Sequence, residues 1–172
     1  MRAFSIGLLL AVAWLSAAPD AAAFERQWHV GGGLGAASFV GSDEPIAPAA
    51  CLYGAYGLSD MFDARLEFTG SRHPLDDETY TVLYSGAAGL AYKIDVIEWV
   101  PYVGLLAGYY SYDLRTGGIG FSTALGLDYA VSRNFGLGVQ LRYHWTSSDV
   151  PTSLTEGEYF TAFLRAEYRW GW

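Results

Sequence analysis

The sequence predicts an all-β protein, an eight-stranded antiparallel up-and-down transmembrane β-barrel. Three observations predict this fold. Apolar side chains alternate with polar or small ones through most of the chain, the polar positions are rich in Gly, Ala and Ser, and aromatic residues gather at both ends of the apolar faces. The 172 residues include 21 glycines, 13 tyrosines and 6 tryptophans, a composition that suits strands and tight turns rather than helices.

The first 23 residues are predicted to be a cleaved signal peptide, which leaves residues 24–172 as the barrel. Arg2 supplies a short basic start, residues 4–15 are apolar, and Ala21 and Ala23 have the spacing of a cleavage site. The apolar run is too short for a membrane-spanning helix, which needs about 20 residues. No later segment is apolar over that length, so we expect strands to cross the membrane.

Six strands are predicted from alternation alone, because a period of two indicates strands and helical spacing fits these segments poorly. In chain order they are residues 28–36, 62–68, 80–92, 121–129, 135–145 and 160–172. Two more strands are expected at residues 49–58 and 100–112, where both faces are apolar or small. Pro101 is expected near a strand end, since proline has no N–H group for the ladder.

The connections are predicted to alternate between tight turns and longer loops. Tight turns are expected near residues 60, 96 and 133. Residues 56–68 repeat weakly as residues 129–141, each with a serine, two turn residues and a phenylalanine. The segments at the other end are expected at residues 40–48, 71–78 and 147–158, with a short one near 113–117 and with His73 as a loop residue. No internal boundary is visible, so one domain is predicted.

The alternation alone is compatible with two kinds of barrel. A soluble barrel of the lipocalin type has its apolar face inside, whereas a membrane barrel has its apolar face against lipid. The small residues of the polar face suit a crowded interior, the aromatic strand ends suit the two bilayer interfaces, and strands of about 10–12 residues can cross when tilted. The aromatic residues are Trp28, Phe62, Tyr92, Tyr129, Phe135, Trp170 and Trp172 beside the turns, and Tyr80, Tyr143, Trp145 and Phe160 beside the loops. The membrane barrel is therefore predicted.

Nine charged residues are predicted to point into the lumen of this barrel. They are Asp63, Arg65, Glu67, Lys93, Asp128, Arg142, Arg165, Glu167 and Arg169. Eight strands enclose an interior that side chains can just fill, and buried charges need partners. The favoured interpretation is an ion-pair network that fills the lumen, and the alternative is a narrow polar pore.

These features together resemble the small outer-membrane barrels of Gram-negative bacteria, such as the OmpA transmembrane domain, OmpX and the OmpW-like proteins. The aromatic residues Tyr168, Trp170 and Trp172 match the pattern by which the last strand of such barrels is recognised for insertion. Two departures are the terminal Trp, where Phe is usual, and Glu167, where Gly is common. The resemblance implies location in the cell outer membrane, with a structural, surface-interaction or envelope-stabilising role, or a porin-like one.

No reaction is predicted, although one enzymatic alternative stays open. Some barrels of this kind are lipid A deacylases, with a His-x-Ser pair on a late strand and a Glu on the next strand. Here His144, Thr146 and Glu158 occupy comparable positions, but Thr replaces the nucleophile and strand parity turns His144 toward the lumen. No metal-ligand spacing or phosphate loop is present in the sequence, and Cys51, the single cysteine, is expected to be a small packing residue. No cofactor is predicted.

The expected partners follow from the resemblance and from charge. They are outer-membrane lipid, lipopolysaccharide and the barrel-insertion machinery, with a monomer as the expected oligomeric state. A net charge of −8 makes nucleic-acid binding improbable. The predicted loops are acidic, which indicates a solvated, repulsive surface or, alternatively, divalent cations that bridge to lipopolysaccharide phosphates.

Overall fold

The computed structural model describes residues 26–41, 45–76, 79–94, 98–112, 114, 116–146 and 157–171. The predicted signal peptide and Trp172 lie outside these ranges. The eight strands are β1 (Trp28–Phe39), β2 (Ala47–Gly57), β3 (Phe62–Asp76), β4 (Thr79–Lys93), β5 (Trp99–Tyr112), β6 (Thr116–Ala130), β7 (Phe135–Thr146) and β8 (Glu158–Trp170). None of the described residues forms a helix long and apolar enough to span a membrane.

The strands form one closed antiparallel barrel in which every strand pairs with its neighbours in sequence. Closure joins β1 to β8, in a continuous register from Trp28 opposite Trp170 to Phe39 opposite Tyr159. In a bilayer each backbone N–H and C=O group must find a protein partner, and a closed sheet supplies one on both sides of every strand. The predicted fold class is confirmed.

The apolar face points outward on every strand. Leu34, Leu52, Leu105 and Leu164 are each more than half exposed, while the alternate positions carry the buried polar residues. A soluble barrel would have the reverse arrangement. The burial pattern also shows which residues of the two ambiguous strands face inward. These are the odd-numbered residues of β2 and mostly the even-numbered residues of β5.

One predicted loop is wrong. Residues 71–76 continue β3, and β4 begins at Thr79, so His73 is a buried strand residue and not a loop residue. The segment is polar because Ser71 and His73 point inward, where the Ser71 hydroxyl and His73 Nε2 lie 2.9 Å apart. Pro74 lies beside a register shift near the strand end, where a missing N–H is tolerated. The strands are correspondingly longer than expected, with 15 residues in β3, β4 and β6.

The two ends of the barrel differ in their connections. We call the end with the β2–β3, β4–β5 and β6–β7 connections the turn end, and the opposite end the loop end. The weak sequence repeat corresponds to two similar turns, in which Ser59 Oγ accepts from the N–H of Phe62 at 3.2 Å and Ser132 Oγ from that of Phe135 at 3.1 Å. Pro101 lies near the start of β5, as predicted.

Candidate functional site: the barrel interior

The structure places all nine predicted charged residues inside the barrel. Each is less than one-tenth exposed. Asp63, Lys93 and Arg169 lie at the turn end, at the first or last inward positions of their strands. Arg142 lies further from this end, past the middle of β7. The loop half contains aromatic and histidine side chains instead. The interior therefore has two layers of different chemistry.

Two ion pairs connect β3 to other strands. Lys93 Nζ, on the neighbouring strand β4, lies 2.9 Å from Asp63 Oδ1. Glu67 Oε2 pairs with Arg142 Nη2 of β7, on the far side of the barrel, with both side chains almost completely buried. The second pair crosses the lumen and connects opposite walls of the barrel.

Two further ion pairs involve β8. Arg169 pairs with Glu167 on the same strand and face. Arg165 Nη1 lies 4.0 Å from Asp128 Oδ1 of β6. Gly138 of β7 is the ladder partner of both Asp128 and Arg165, and a Cβ there would lie 1.9 Å from Asp128 Oδ1. The absence of a side chain at Gly138 is what lets the two residues approach across an intervening strand.

Arg65 and Arg165 lie between two tyrosine rings. The Arg65 guanidinium carbon is 5.3 Å from the Tyr53 ring centroid and 4.4 Å from that of Tyr102. For Arg165 the corresponding distances are 4.0 and 5.2 Å. We call these four residues the arginine–tyrosine layer. Cation–π contact with a desolvated guanidinium is worth about 2 kcal/mol, so the rings partly replace the lost hydration.

The two rings are held against the wall by glycines on the neighbouring strands. Tyr53 is the ladder partner of Gly31, and Tyr102 that of Gly126. A Cβ on Gly31 would lie 2.6 Å from Tyr53 Cζ, and one on Gly126 would lie 2.2 Å from the same atom of Tyr102. Each glycine therefore leaves the space in which a ring lies flat on the sheet.

The loop half contains a second group, which we call the loop-end cluster. Its members are Phe39, Leu83, Tyr110, Tyr112 and Tyr159. His144 stacks on Tyr159, with ring centroids 4.1 Å apart and 3° between the planes. Its Nδ1 lies 3.2 Å from the Tyr110 hydroxyl and its Nε2 lies 3.1 Å from Thr161 Oγ1. Both nitrogens of His144 thus have partners within the barrel.

The residues of the deacylase-like alternative do not come together. His144 points into the lumen and is fully buried. Glu158 is the ladder partner of Trp145, on the outward parity, and its carboxylate accepts a hydrogen bond from the Tyr143 hydroxyl. The histidine and the carboxylate thus lie on opposite faces of the wall. Among the described residues, no group of three His, Cys, Asp or Glu side chains could hold a metal ion.

Cys51 packs as the sequence predicts. It is buried without a disulfide in a group of small and aromatic side chains with Ala37, Ala49 and Phe163. This group lies on the lumen side of β1, β2 and β8, beside the inward charged residues.

The outward aromatic residues pack on one another at both ends, mostly across neighbouring strands. At the turn end Trp28 packs on Tyr56, Phe62 on Tyr92 and Trp99 on Tyr129; at the loop end Tyr143 packs on Trp145 and Phe160. Tyr56 and Trp99 were missed in the sequence because their strands have no polar face to define an orientation. Two aromatic bands on a closed barrel are the arrangement that bilayer interfaces select.

Comparison with known proteins assigns the family. The model of the outer membrane protein beta-barrel domain matches residues 7–168. The chain belongs to this family. No curated protein matches the sequence.

Solved structures share the fold of this outer-membrane barrel at low sequence identity. Neisserial surface protein A is 18% identical, with a TM-score of 0.63 over 85% of this chain and 96% of its own. OprG from Pseudomonas aeruginosa is 13% identical, with a TM-score of 0.61 over 86% and 97%. Ail, the attachment invasion locus protein of Yersinia pestis, is 17% identical, with a TM-score of 0.58 over 85% and 99%. The protein is an integral protein of the bacterial outer membrane.

The predicted insertion signal lies at the turn end of this outer-membrane barrel. Tyr168 and Trp170 point outward, with ring centroids 6.0 Å apart. Trp172 lies beyond the described residues. The two described residues are exposed on the closing strand, where a recognition partner could reach them.

Proposed function

We propose that the protein is a non-enzymatic, non-conducting barrel with a structural, surface-interaction or envelope-stabilising role in the outer membrane. The observation that carries this proposal is the burial of the inward side chains in both layers. The Glu67–Arg142 pair crosses the lumen, and the loop-end cluster lies nearer the loop end. An ion or solute would have to displace both layers to cross.

Conductance in planar bilayers tests the filled lumen against the alternative of a narrow porin-like channel. We expect no steady discrete openings from refolded protein whose insertion has been checked by the mobility difference between unheated and boiled samples. As a control, Tyr110→Ala with Tyr159→Ala removes two rings of the loop-end cluster. This variant should also remain closed, because the nine inward charged residues are intact. Reproducible unitary openings in the wild type would overturn the proposal.

The enzymatic alternative has a separate test. We expect lipid A from cells that express the protein to keep its acyl chains, because His144 and Glu158 lie on opposite faces of the wall. Mass spectrometry of lipid A would show this directly, with cells that express His144→Ala as the matched control. Loss of an acyl chain in the wild type but not in the variant would contradict a non-enzymatic role.

The proposed partners are the lipids of the outer membrane, lipopolysaccharide and the insertion machinery, with the protein as a monomer. One structure of Ail holds the heparin analogue sucrose octasulfate. We do not expect such a sulfated ligand here, because the net charge is −8 and the loop segments are acidic. Titration with sucrose octasulfate, with and without divalent cations, tests this expectation. Binding without cations would contradict it.

A further inference from the structure

We propose that the arginine–tyrosine layer is a binding site for one small monovalent anion, held between Arg65 and Arg165. The inference starts from charge. The described inward residues carry five guanidinium or ammonium groups and four carboxylates. Three of the carboxylates pair closely with Lys93, Arg142 and Arg169, and the fourth makes only a long contact with Arg165. An arginine cannot lose its proton in a protein, so the positive charge of Arg65 persists inside the barrel.

The carboxylates next to Arg65 are engaged elsewhere. Asp63 and Glu67 lie two residues away on the same face of β3, but Asp63 pairs with Lys93 and Glu67 with Arg142. Among the described residues, no carboxylate lies within 4.0 Å of the Arg65 guanidinium. A buried cation without a counter-charge is strongly unfavourable, and Arg65 is only 4% exposed.

Arg165 also lacks a close counter-charge, although less completely than Arg65. Its contact with Asp128 is 4.0 Å, longer than a hydrogen bond. Glu167, two residues along β8, accepts from the Tyr53 hydroxyl at 2.9 Å, pairs with Arg169 and faces His29 at 3.7 Å. The Arg165 guanidinium therefore has weak compensation from its acidic neighbours.

The unmatched donors of both arginines lie beside the same two tyrosine rings. Arg65 Nε and Nη1, all three nitrogens of the Arg165 guanidinium and the Tyr102 hydroxyl have no hydrogen-bond acceptor within the described part of the chain. Each guanidinium carbon lies within 5.3 Å of both ring centroids, so the two sets of donors lie in the same part of the lumen. An anion there would receive charge-assisted hydrogen bonds from both arginines.

The kind of ligand follows from the net charge of the inward residues and from the space between them. One negative charge balances the excess of one cation, and the close packing of the rings and guanidiniums favours a halide over a larger oxyanion. The site deepens the proposed function, since it makes an anion part of the filled lumen. Conductance does not enter the test below, so a conducting barrel would refute the filled lumen without deciding the anion site.

The test measures the apparent melting temperature of the full barrel in detergent as sodium bromide replaces sodium gluconate at constant ionic strength. Gluconate serves as the bulky monovalent anion for comparison. A ligand that binds only the folded state stabilises it, so bromide at 100 times its dissociation constant should raise the melting temperature by roughly 5–10 °C. Equal melting temperatures in the two salts would overturn the proposal.

Variants separate the site from a general salt effect. Arg65→Gln should abolish the bromide response, whereas Arg133→Gln, which changes an exposed turn residue, should retain it in full. Asp128→Asn removes the carboxylate that competes for Arg165, so the bromide concentration for half of the response should fall severalfold. If Arg65→Gln does not fold, the bromide response of Asp128→Asn tests the site by itself. A wild-type response in Arg65→Gln, or no change in Asp128→Asn, would refute the site.

Discussion

Removal of one partner from the Glu67–Arg142 pair should strongly destabilise the barrel. The two side chains are 0% and 1% exposed, so Glu67→Gln leaves the Arg142 guanidinium buried without its counter-charge. Loss of one member of a buried pair costs about 3–5 kcal/mol. A folded domain is stable by roughly 5–15 kcal/mol, so this single change should remove a large part of the free energy of unfolding.

The assay is urea unfolding of the barrel in lipid vesicles, followed by tryptophan fluorescence. Glu98→Gln is the matched control, because Glu98 is an exposed carboxylate at the turn end, and its loss should change stability by no more than about 0.5 kcal/mol. The double variant Glu67→Gln with Arg142→Met should recover most of the loss, since an apolar replacement of a buried pair is often neutral.

Two results would refute this reasoning. If Glu67→Gln unfolds within about 1 kcal/mol of Glu98→Gln, the pair is solvated in solution and the lumen is not closed at this level. If the double variant is as unstable as Glu67→Gln alone, the loss comes from packing around Glu67 and not from an uncompensated Arg142.

Three further predictions concern the wall. Gly126→Ala should cost about 1–3 kcal/mol in the same assay through overpacking, because its Cβ would lie 2.2 Å from the Tyr102 ring. Gly54→Ala is the control and should be nearly neutral, since the nearest atom to its Cβ would lie at 3.8 Å. Equal effects of the two substitutions would contradict the packing of the ring. Leu164→Arg, between the two aromatic bands, should cost about 2–4 kcal/mol, and Leu58→Arg in a turn far less; the reverse order would place the bilayer elsewhere. Trp170→Ala should slow assembly in cells without a matching loss of stability after refolding in detergent, as pulse-labelled membranes would show; unchanged assembly would refute its part in the insertion signal.

The facing of the charged residues was predictable from sequence, while their partners were not. A period of two assigns a residue to one face whatever the register, so Arg65, Arg142 and Arg165 could be placed inside. Partners depend on which strands meet across the lumen and at what height. Glu67 reaches β7 on the opposite wall, whereas Arg169 pairs on its own strand, and alternation contains no information on either choice.

Polarity misled the prediction at the loop end for a physical reason. A polar segment beside a proline usually indicates a loop, but in a membrane barrel inward positions are polar as well. Ser71 and His73 are polar because they face the lumen, and Arg72 between them is exposed on the outer face. A different ambiguity hid Tyr53 and Tyr102, since β2 and β5 have no charged face by which to orient them.

The arginine–tyrosine layer shows how glycine positions affect charge inside the barrel. Gly31 and Gly126 lie opposite Tyr53 and Tyr102 in the ladder, so the rings lie flat and occupy part of the lumen that water would otherwise fill. The rings contact both guanidiniums but accept little charge, because cation–π contact replaces only part of the hydration of a cation. A ring in place of a carboxylate therefore keeps the two arginines close while leaving their N–H groups free to bind an anion.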